Sequence, residues 1–274
     1  MKTQKIAFIG AGNMANALIT GLIADGVDAK NIWASDPSDK NLTALESKFG
    51  IQTSFDNQTV ISNADIVVLA IKPQIMKDAC KGIASAVSDF SPMIISVAAG
   101  IQVEHLASWL GSKTAIVRAM PNTPSLINTG ATGLFANEHV TEDQKSIAEE
   151  IMRAVGLALW VDEEVQMDYV TALSGSGPAY FFRIMEAMEK SACELGLPAK
   201  TAHVLTLQTA LGAAKLAMES NDSLSALREK ITSPGGTTEK GLAAMNESNI
   251  DDTMNKTLIA AKLRAAELAK EFGE

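Results

Sequence analysis

The first 160 residues alternate short apolar segments with helical ones, and this alternation constrains the fold most strongly. Strands are predicted at residues 5–9, 31–35, 65–71, 93–97, 115–118 and 158–161. Helices are predicted at 13–24, 101–110 and 141–155, with another that begins at Pro37. Residues 65–71 are apolar almost throughout, as in a strand covered on both faces. The pattern predicts an α/β fold with a doubly wound parallel sheet.

Beyond residue 162 the pattern becomes helical, and no strand is predicted. Stretches rich in Ala, Leu, Met, Glu and Lys are separated by breaks at 196–198, 220–223 and 234–236. Residues 202–218 are apolar on more than one face, which is typical of a helix buried in a subunit interface. We therefore expect two domains, 1–162 with the sheet and 163–274 as an all-α dimerisation domain.

Charge and hydropathy exclude several classes of partner. The net charge of −9 is spread over both halves without a basic patch, so neither nucleic acid nor an anionic membrane is an expected partner. No run approaches the roughly 18 apolar residues of a membrane span, and no signal-peptide cleavage pattern follows the N-terminal apolar run. Cys80 and Cys193 form no CxxC pair and are predicted to be buried thiols. A cytoplasmic protein is expected.

A glycine-rich loop lies between the first predicted strand and the first helix. It consists of Gly10, Ala11, Gly12, Asn13, Met14 and Ala15, a GxGxxA pattern. Gly10 permits a tight turn, Gly12 lets the backbone approach a pyrophosphate, and Ala15 lets helix and strand pack closely. The helix N-terminus supplies N–H donors and a favourable dipole for the phosphates. The loop predicts a Rossmann-type domain that binds a dinucleotide.

The end of the second predicted strand leaves the type of dinucleotide open. Asp36 lies 26 positions after Gly10, near the position where an acidic residue accepts hydrogen bonds from the adenosine ribose. A carboxylate there favours NADH because it repels the 2′-phosphate of NADPH. Alternatively, Ser35, Ser38 and Lys40 hold that phosphate, or Asp36 only caps the helix that follows.

Three further strand ends are candidates for the site. Ligands of doubly wound sheets lie beyond the carboxyl ends of the strands, which places Ala70, Ile71, Lys72 and Pro73, and also Ala98, Ala99 and Gly100, beside the cofactor. The small residues at 98–100 leave room for a nicotinamide ring, whereas Lys72 is alternatively a solvated surface lysine. Asn122 follows another strand, and its amide is a candidate for orienting substrate; such a loop is otherwise only a turn.

Two Gly/Ser loops interrupt the helical half. They contain Ser174, Gly175, Ser176 and Gly177 in the first loop and Ser233, Gly235, Gly236, Thr237 and Thr238 in the second. Both are expected to present N–H groups and hydroxyls near helix starts, an arrangement that binds a carboxylate. The alternative is that they are plain helix breaks.

Hydrolytic and metal chemistry find little support in the sequence. His105, His139 and His203 lack ligand spacing with one another or with Cys and carboxylate residues, so no metal is expected. There is no GxSxG elbow and no P-loop. Hydride transfer from a bound cofactor needs no strong protein acid or base, so the pattern indicates a nicotinamide-dependent reductase.

Over nearly its full length the chain resembles pyrroline-5-carboxylate reductases. The resemblance is carried by FIGAGNMA (8–15), AIKP (70–73), VAAG (97–100), RAMPNTP (118–124), LSGSGPAYFF (173–182), LGAAK (211–215) and ITSPGGTTEKGL (231–242). It implies reduction of 1-pyrroline-5-carboxylate to L-proline with NAD(P)H, the last step of proline biosynthesis. It also implies a homodimer, or a larger oligomer, formed through the helical domain, which completes the substrate site.

The resemblance further implies roles for single residues. The Thr238 hydroxyl meets the substrate ring nitrogen, and residues 233–238 hold the substrate carboxylate. Residues 10–15, Ser35, Asp36, Asn57, 70–73 and 98–100 line the cofactor. The resemblance implies NADPH as cofactor. Members that prefer NADPH commonly have a small hydroxyl or neutral residue where this chain has Asp36, so a strict preference for NADPH is not expected and NADH is also possible.

Two other functions remain open at this point. β-Hydroxyacid dehydrogenases also join a GxGxM Rossmann domain to a helical one, and Lys215 resembles their catalytic lysine, although the SPGGTT segment has no place there. A non-catalytic protein that senses a dinucleotide is the other alternative.

Overall fold

One sheet of eight strands organises the first part of the chain. The structure, a computed structural model, describes residues 3–273. The strands are β1 (Ile6–Ile9), β2 (Ile32–Ser35), β3 (Gln52–Ser54), β4 (Ile66–Leu69), β5 (Met93–Ser96), β6 (Ile116–Met120), β7 (Gly130–Ala136) and β8 (Gly156–Trp160). Their order is β3-β2-β1-β4-β5-β6-β7-β8, and every neighbouring pair is parallel except β6–β7. The predicted doubly wound α/β fold is confirmed.

Helices cover the sheet and form the rest of the described chain. They are α1 (Asn13–Ala24), α2 (Asp39–Phe49), α3 (Asn57–Ile61), α4 (Met76–Phe90), α5 (Val103–Leu110), α6 (Glu142–Arg153), α7 (Gln166–Val170), α8 (Gly177–Glu194), α9 (Ala199–Glu219), α10 (Leu224–Lys230), α11 (Thr237–Glu247) and α12 (Ile250–Gly273). The helical character of the second half is confirmed, and the three predicted breaks coincide with helix ends. No helix within residues 3–273 is long and apolar enough to cross a membrane.

The core lies on both faces of the sheet because β1 and β4 are buried completely. Phe8 and Leu18 belong to the cluster on one face, whereas Ile9 and Cys80 belong to the cluster on the other. Burying each such large apolar side chain stabilises the fold by about 1.5–3 kcal/mol. Strands packed in this way hold the loops at their carboxyl ends in fixed positions.

Some predicted boundaries differ from the structure. The predicted α2 start at Pro37 is wrong: the helix begins at Asp39 with Ser38 as its N-cap, because Asp36 accepts the Ser38 N–H and keeps the turn non-helical. The strands β3 and β7 were not predicted, since β3 is polar and β7 contains two glycines. Cys80 is buried as predicted, but Cys193 is partly exposed because α8 is largely exposed in the single chain.

The segment predicted as a first Gly/Ser loop is helical. Residues Thr171–Gly175 form a π-helical turn between α7 and α8, in which the Ser176 N–H donates to the Thr171 carbonyl. The Ser174 hydroxyl donates to the Val170 carbonyl at 3.0 Å, so the helix itself satisfies it. A wider helical turn, rather than an open loop, accommodates the serines and glycines. The second Gly/Ser segment is a true loop between α10 and α11.

The chain divides into two compact units. One comprises the residues up to Ser176 together with those from Ala260 onward, and the other comprises Gly177–Ile259. Helix α12 therefore contributes residues to both units. The boundary at 162/163 separates the sheet from the purely helical part, and its use as a domain boundary stays a prediction.

Candidate cofactor and substrate site

The glycine loop closes tightly against two neighbouring strand ends. Gly10 has φ +98°, and its N–H donates to the Ser35 carbonyl at 2.7 Å. A Cβ at Gly10 would lie 2.6 Å from the Ala70 carbonyl oxygen, so a larger residue would displace backbone. Gly12 contrasts with it, because no atom lies within 4 Å of the corresponding Cβ position. The tight turn therefore leaves an open cradle at the N-terminus of α1, which fits a pyrophosphate.

Asp36 fastens this loop to the second strand. One carboxylate oxygen accepts the Ala11 N–H at 2.8 Å, and the other accepts the Ser38 N–H at 2.8 Å and the Asn41 amide at 3.4 Å. Asp36 is therefore not the N-cap of α2, which is Ser38; it holds the turn before the helix, and the bond from Ala11 is a contact that sequence reasoning missed. A role of Asp36 toward the ribose stays a prediction.

Two further predicted cofactor residues are joined to each other. Ser35 is buried and donates its hydroxyl to Asn57 Oδ1 at 2.6 Å. Asn57 is the first residue of α3, whose N-cap Asp56 accepts the Gln58 and Thr59 N–H groups. Because the Ser35 side chain is buried, its hydroxyl orients the Asn57 amide and is not itself exposed at the predicted site. Ser38 is partly exposed and Lys40 is exposed.

The three loops that are predicted to bind the cofactor lie at one edge of the sheet. Residues 10–15, 70–73 and 98–100 follow β1, β4 and β5, which are parallel neighbours. The Ala70 N–H donates to the Ile9 carbonyl at 2.8 Å, which brings the first two loops together. Lys72 is exposed at this edge. We refer to it as the carboxyl-end edge.

Asn122 bridges two segments beside this edge. It is 8% exposed; its Oδ1 accepts the Ala131 N–H at 2.9 Å, and its Nδ2 donates to the Ser174 carbonyl at 2.9 Å. The structure therefore brings together two residues that were predicted separately. Both ends of the amide are engaged with backbone, and contact with substrate stays a prediction.

The loop before α11 belongs to the second compact unit. Gly235 has φ +73° and donates its N–H to Glu239, while Gly236 donates to the Ser233 carbonyl. The first helical bond of α11 starts from the Lys240 N–H, so the N–H groups of Thr237 and Thr238 have no intrahelical partner. Within residues 3–273 the Thr238 hydroxyl also makes no hydrogen bond.

A cluster of charged side chains, formed by Arg118, Glu164 and Asp168, was missed by sequence reasoning. Glu164 accepts from Arg118 at 2.6 Å and from the Val103 N–H at 2.7 Å, and Arg118 is 5% exposed. Burial raises the pKa of the neighbouring Asp168, while Arg118 and Lys262 oppose that shift. The signal was an arginine inside an apolar strand, since a buried charge requires a partner.

Two of the three histidines have ordinary polar partners. His139 bonds the Ser112 carbonyl at 2.9 Å, and His203 pairs with Glu189 at 3.0 Å. Over the described part of the chain, no group of three or more His, Cys, Asp or Glu side chains is arranged to hold a metal ion.

Comparison with protein families matches two models. Residues 164–268 match the model for pyrroline-5-carboxylate reductase dimerisation, and residues 5–100 match the model for NADP oxidoreductase, coenzyme F420-dependent. The second match begins shortly after the last strand, which ends at Trp160, and residues 101–163 lie in neither match.

Relatives match along the whole chain. A pyrroline-5-carboxylate reductase from Pseudomonas aeruginosa is 47% identical over 274 residues, 100% of both chains. The solved structure of a pyrroline-5-carboxylate reductase from Coxiella burnetii has a TM-score of 0.95 at 48% identity, covering 97% of this chain and 99% of that one. That of Plasmodium falciparum pyrroline carboxylate reductase with NADP bound has a TM-score of 0.86 at 29% identity, covering 98% and 99%. This chain belongs to the pyrroline-5-carboxylate reductase family.

Proposed function

We propose that the protein reduces 1-pyrroline-5-carboxylate to L-proline with NADPH, as the last step of proline biosynthesis in the cytoplasm. The observation that carries this proposal is 47% identity to a pyrroline-5-carboxylate reductase over the entire chain. Residues 1–162 bind the cofactor. Residues 163–274 dimerise with a second copy and complete the substrate site, as the matched dimerisation model supports.

The carboxyl-end edge fits a nicotinamide dinucleotide. The open cradle at Gly12 and the N-terminus of α1 accept the pyrophosphate, and the small residues at 98–100 leave room for the nicotinamide. The Ala11 and Ser38 N–H groups donate to the Asp36 carboxylate and offset part of its negative potential toward a 2′-phosphate. A family member, the Plasmodium falciparum protein, has NADP bound. NADPH is therefore the proposed cofactor, with NADH as a weaker alternative.

In this mechanism the cofactor supplies a hydride to the imine carbon of the substrate. The free N–H groups of Thr237 and Thr238, with the Ser233 hydroxyl, hold the substrate carboxylate at the positive end of α11. The Thr238 hydroxyl, which has no partner within the described chain, donates a hydrogen bond to the ring nitrogen and orients it. Because a threonine hydroxyl is a weak acid, the proton comes from solvent or is already on the nitrogen of an iminium. In the iminium the nitrogen has no free lone pair, so its N–H donates to the Thr238 oxygen, which still orients the ring.

Steady-state kinetics with 1-pyrroline-5-carboxylate, comparing NADPH with NADH, test the activity. Thr238→Ala is expected to lower turnover roughly 10- to 1000-fold, the range for loss of one positioned donor, with the Kd of NADPH unchanged. Thr238→Ser, which keeps the hydroxyl, is the matched control and retains most of the turnover. Wild-type turnover in Thr238→Ala would contradict the assignment.

The dehydrogenase alternative is not supported by its candidate lysine. The Lys215 side chain is 71% exposed and pairs with Glu219 at 3.8 Å on the surface of α9. A catalytic lysine is expected to be buried and close to other site residues.

A further inference from the structure

The last turns of α12 present one face to the sheet-containing unit. Ala265 and Ala269 are buried, and Leu268 and Phe272 are partly buried, which is the three- and four-residue spacing of one helix face. Leu263 lies on the other face and is 52% exposed. The end of α12 therefore packs as an ordered element against this unit.

This face contacts the cofactor loop at 98–100. A Cβ at Gly100 would lie 3.2 Å from Leu268 Cβ and 3.3 Å from Phe272 Cδ2, so the helix lies directly against the Gly100 backbone. Gly100 has φ +75°, a left-handed conformation in which any other residue is strained. The Ala98 N–H has only a long bond of 3.4 Å to the Ser96 hydroxyl. The position of the loop therefore depends on packing against α12.

Contacts on both sides of Leu268 hold this part of the helix in place. Lys262 lies 5.6 Å from the centre of the Tyr169 ring, a cation–π contact that joins α12 to α7. At the other end, a Cβ on Gly273 would clash with the His105 ring, which is stacked on Trp109. The end of α12 is thus a fixed support rather than a free terminus.

We infer that Leu268 and Phe272 are positioning residues for hydride transfer: they hold the 98–100 loop in the conformation that places the nicotinamide. The inference rests on the proposed function, since it takes this edge to be the NADPH site. Neither residue contacts the cofactor; each acts through the backbone at Gly100. Truncating either side chain is expected to weaken NADPH binding and slow hydride transfer. The KM for the imine substrate should change much less.

The test compares Leu268→Ala and Phe272→Ala with Lys270→Ala, which truncates an exposed polar side chain of the same helix outside the segment matched to dimerisation. The full-length enzyme is used in each case. We expect the two inward variants to raise the Kd and KM for NADPH about 5- to 30-fold, the scale of one lost packing contact. The KM for 1-pyrroline-5-carboxylate should change less than about twofold, and Lys270→Ala should match wild type. The primary isotope effect with NADPH deuterated at C4 should increase because the chemical step becomes slower.

Phe272→Leu keeps an apolar side chain and should recover most of the affinity for NADPH. If Phe272→Ala does not fold, Leu268→Ala carries the test, since Leu268 also contacts Gly100. Variants with a lower Tm but wild-type NADPH Kd and isotope effect would overturn the inference, since support for the fold alone predicts that result. If wild type binds NADPH but does not reduce the imine, the proposed function fails, while the Kd comparison still decides this inference.

Discussion

Replacing Asn122 by alanine separates a bridging role from a role in binding substrate. In the structure the Asn122 amide joins the Ala131 N–H of β7 to the Ser174 carbonyl of the π-helical turn, each at 2.9 Å. Alanine removes both bonds and leaves both backbone groups without this partner. The perturbation is local, because the residue is 8% exposed and the loop is fixed by its two prolines.

The expected magnitude follows from these two bonds. Each neutral hydrogen bond contributes about 0.5–1.5 kcal/mol, and a buried group left unpaired costs about 1–3 kcal/mol. Ala131 and Ser174 are only partly buried, so water can reach them and reduce that cost. We expect the free energy of unfolding to fall by about 2–4 kcal/mol for Asn122→Ala. At roughly 2–4 °C per kcal/mol, the Tm should fall by about 5–15 °C.

The assay is scanning calorimetry at one fixed protein concentration, because the Tm of an oligomer depends on concentration. The control is Asn63→Ala, which removes an exposed amide bonded to the Thr59 carbonyl at 2.9 Å and should change stability by less than about 0.5 kcal/mol. A Tm within about 2 °C of wild type, together with a large rise in KM for the imine, would refute the bridging argument. Asn122 would then act mainly on substrate.

Two other outcomes follow from the geometry of the first unit. Gly12→Ala should leave the Tm nearly unchanged and weaken NADPH binding, because its Cβ meets no protein atom but fills the open cradle. Gly10→Ala should lower the Tm, because its Cβ meets the Ala70 carbonyl. Calorimetry and NADPH titration of both variants measure these effects, and equal Tm values for the two variants would contradict the argument. Burial raises the pKa of the Cys80 thiol from 9.0 to about 12. Between these two pH values the thiol is protonated in the folded protein but ionised in the unfolded chain. Its contribution to the free energy of unfolding is therefore fully present below pH 9 and is lost as the pH rises from 9 to 12. Iodoacetamide at mildly alkaline pH should therefore label Cys80 only after unfolding, as peptide mass spectrometry can show; rapid labelling of the native protein would contradict the burial argument.

The parts of the fold that were predicted from sequence are those with strong local signals. β1 and β4 are apolar throughout, and α6 begins at a Thr141 capping box with Gln144, so their types and positions agree with the structure within a few residues. The glycine loop was recognised because its spacing serves one local geometry.

The missed features depend on tertiary partners. β7 contains two glycines and is defined by pairing with β6 and β8, which no local propensity encodes. The π-helical turn at 171–175 packs beside Met120, a residue about fifty positions away in the chain. The bond between Asp36 and Ala11, and the contact of α12 with Gly100, likewise join distant segments. The sequence shows residue types at these positions but not which backbone group each one meets.

The division of α12 between the two units has a consequence for biosynthesis. The unit that contains the sheet includes residues from both ends of the chain, because the segment from Ala260 onward packs with residues up to Ser176. At about 5–20 residues per second a ribosome makes these ends tens of seconds apart, and domains usually fold as the chain emerges, N-terminal part first. The loop at Gly100 therefore acquires its packing partner only after the last part of α12, about four turns from Ala260 onward, has been made. In a chain that terminates before Leu268, the loop at 98–100 would lack its contacts with Leu268 and Phe272 even if the strands fold.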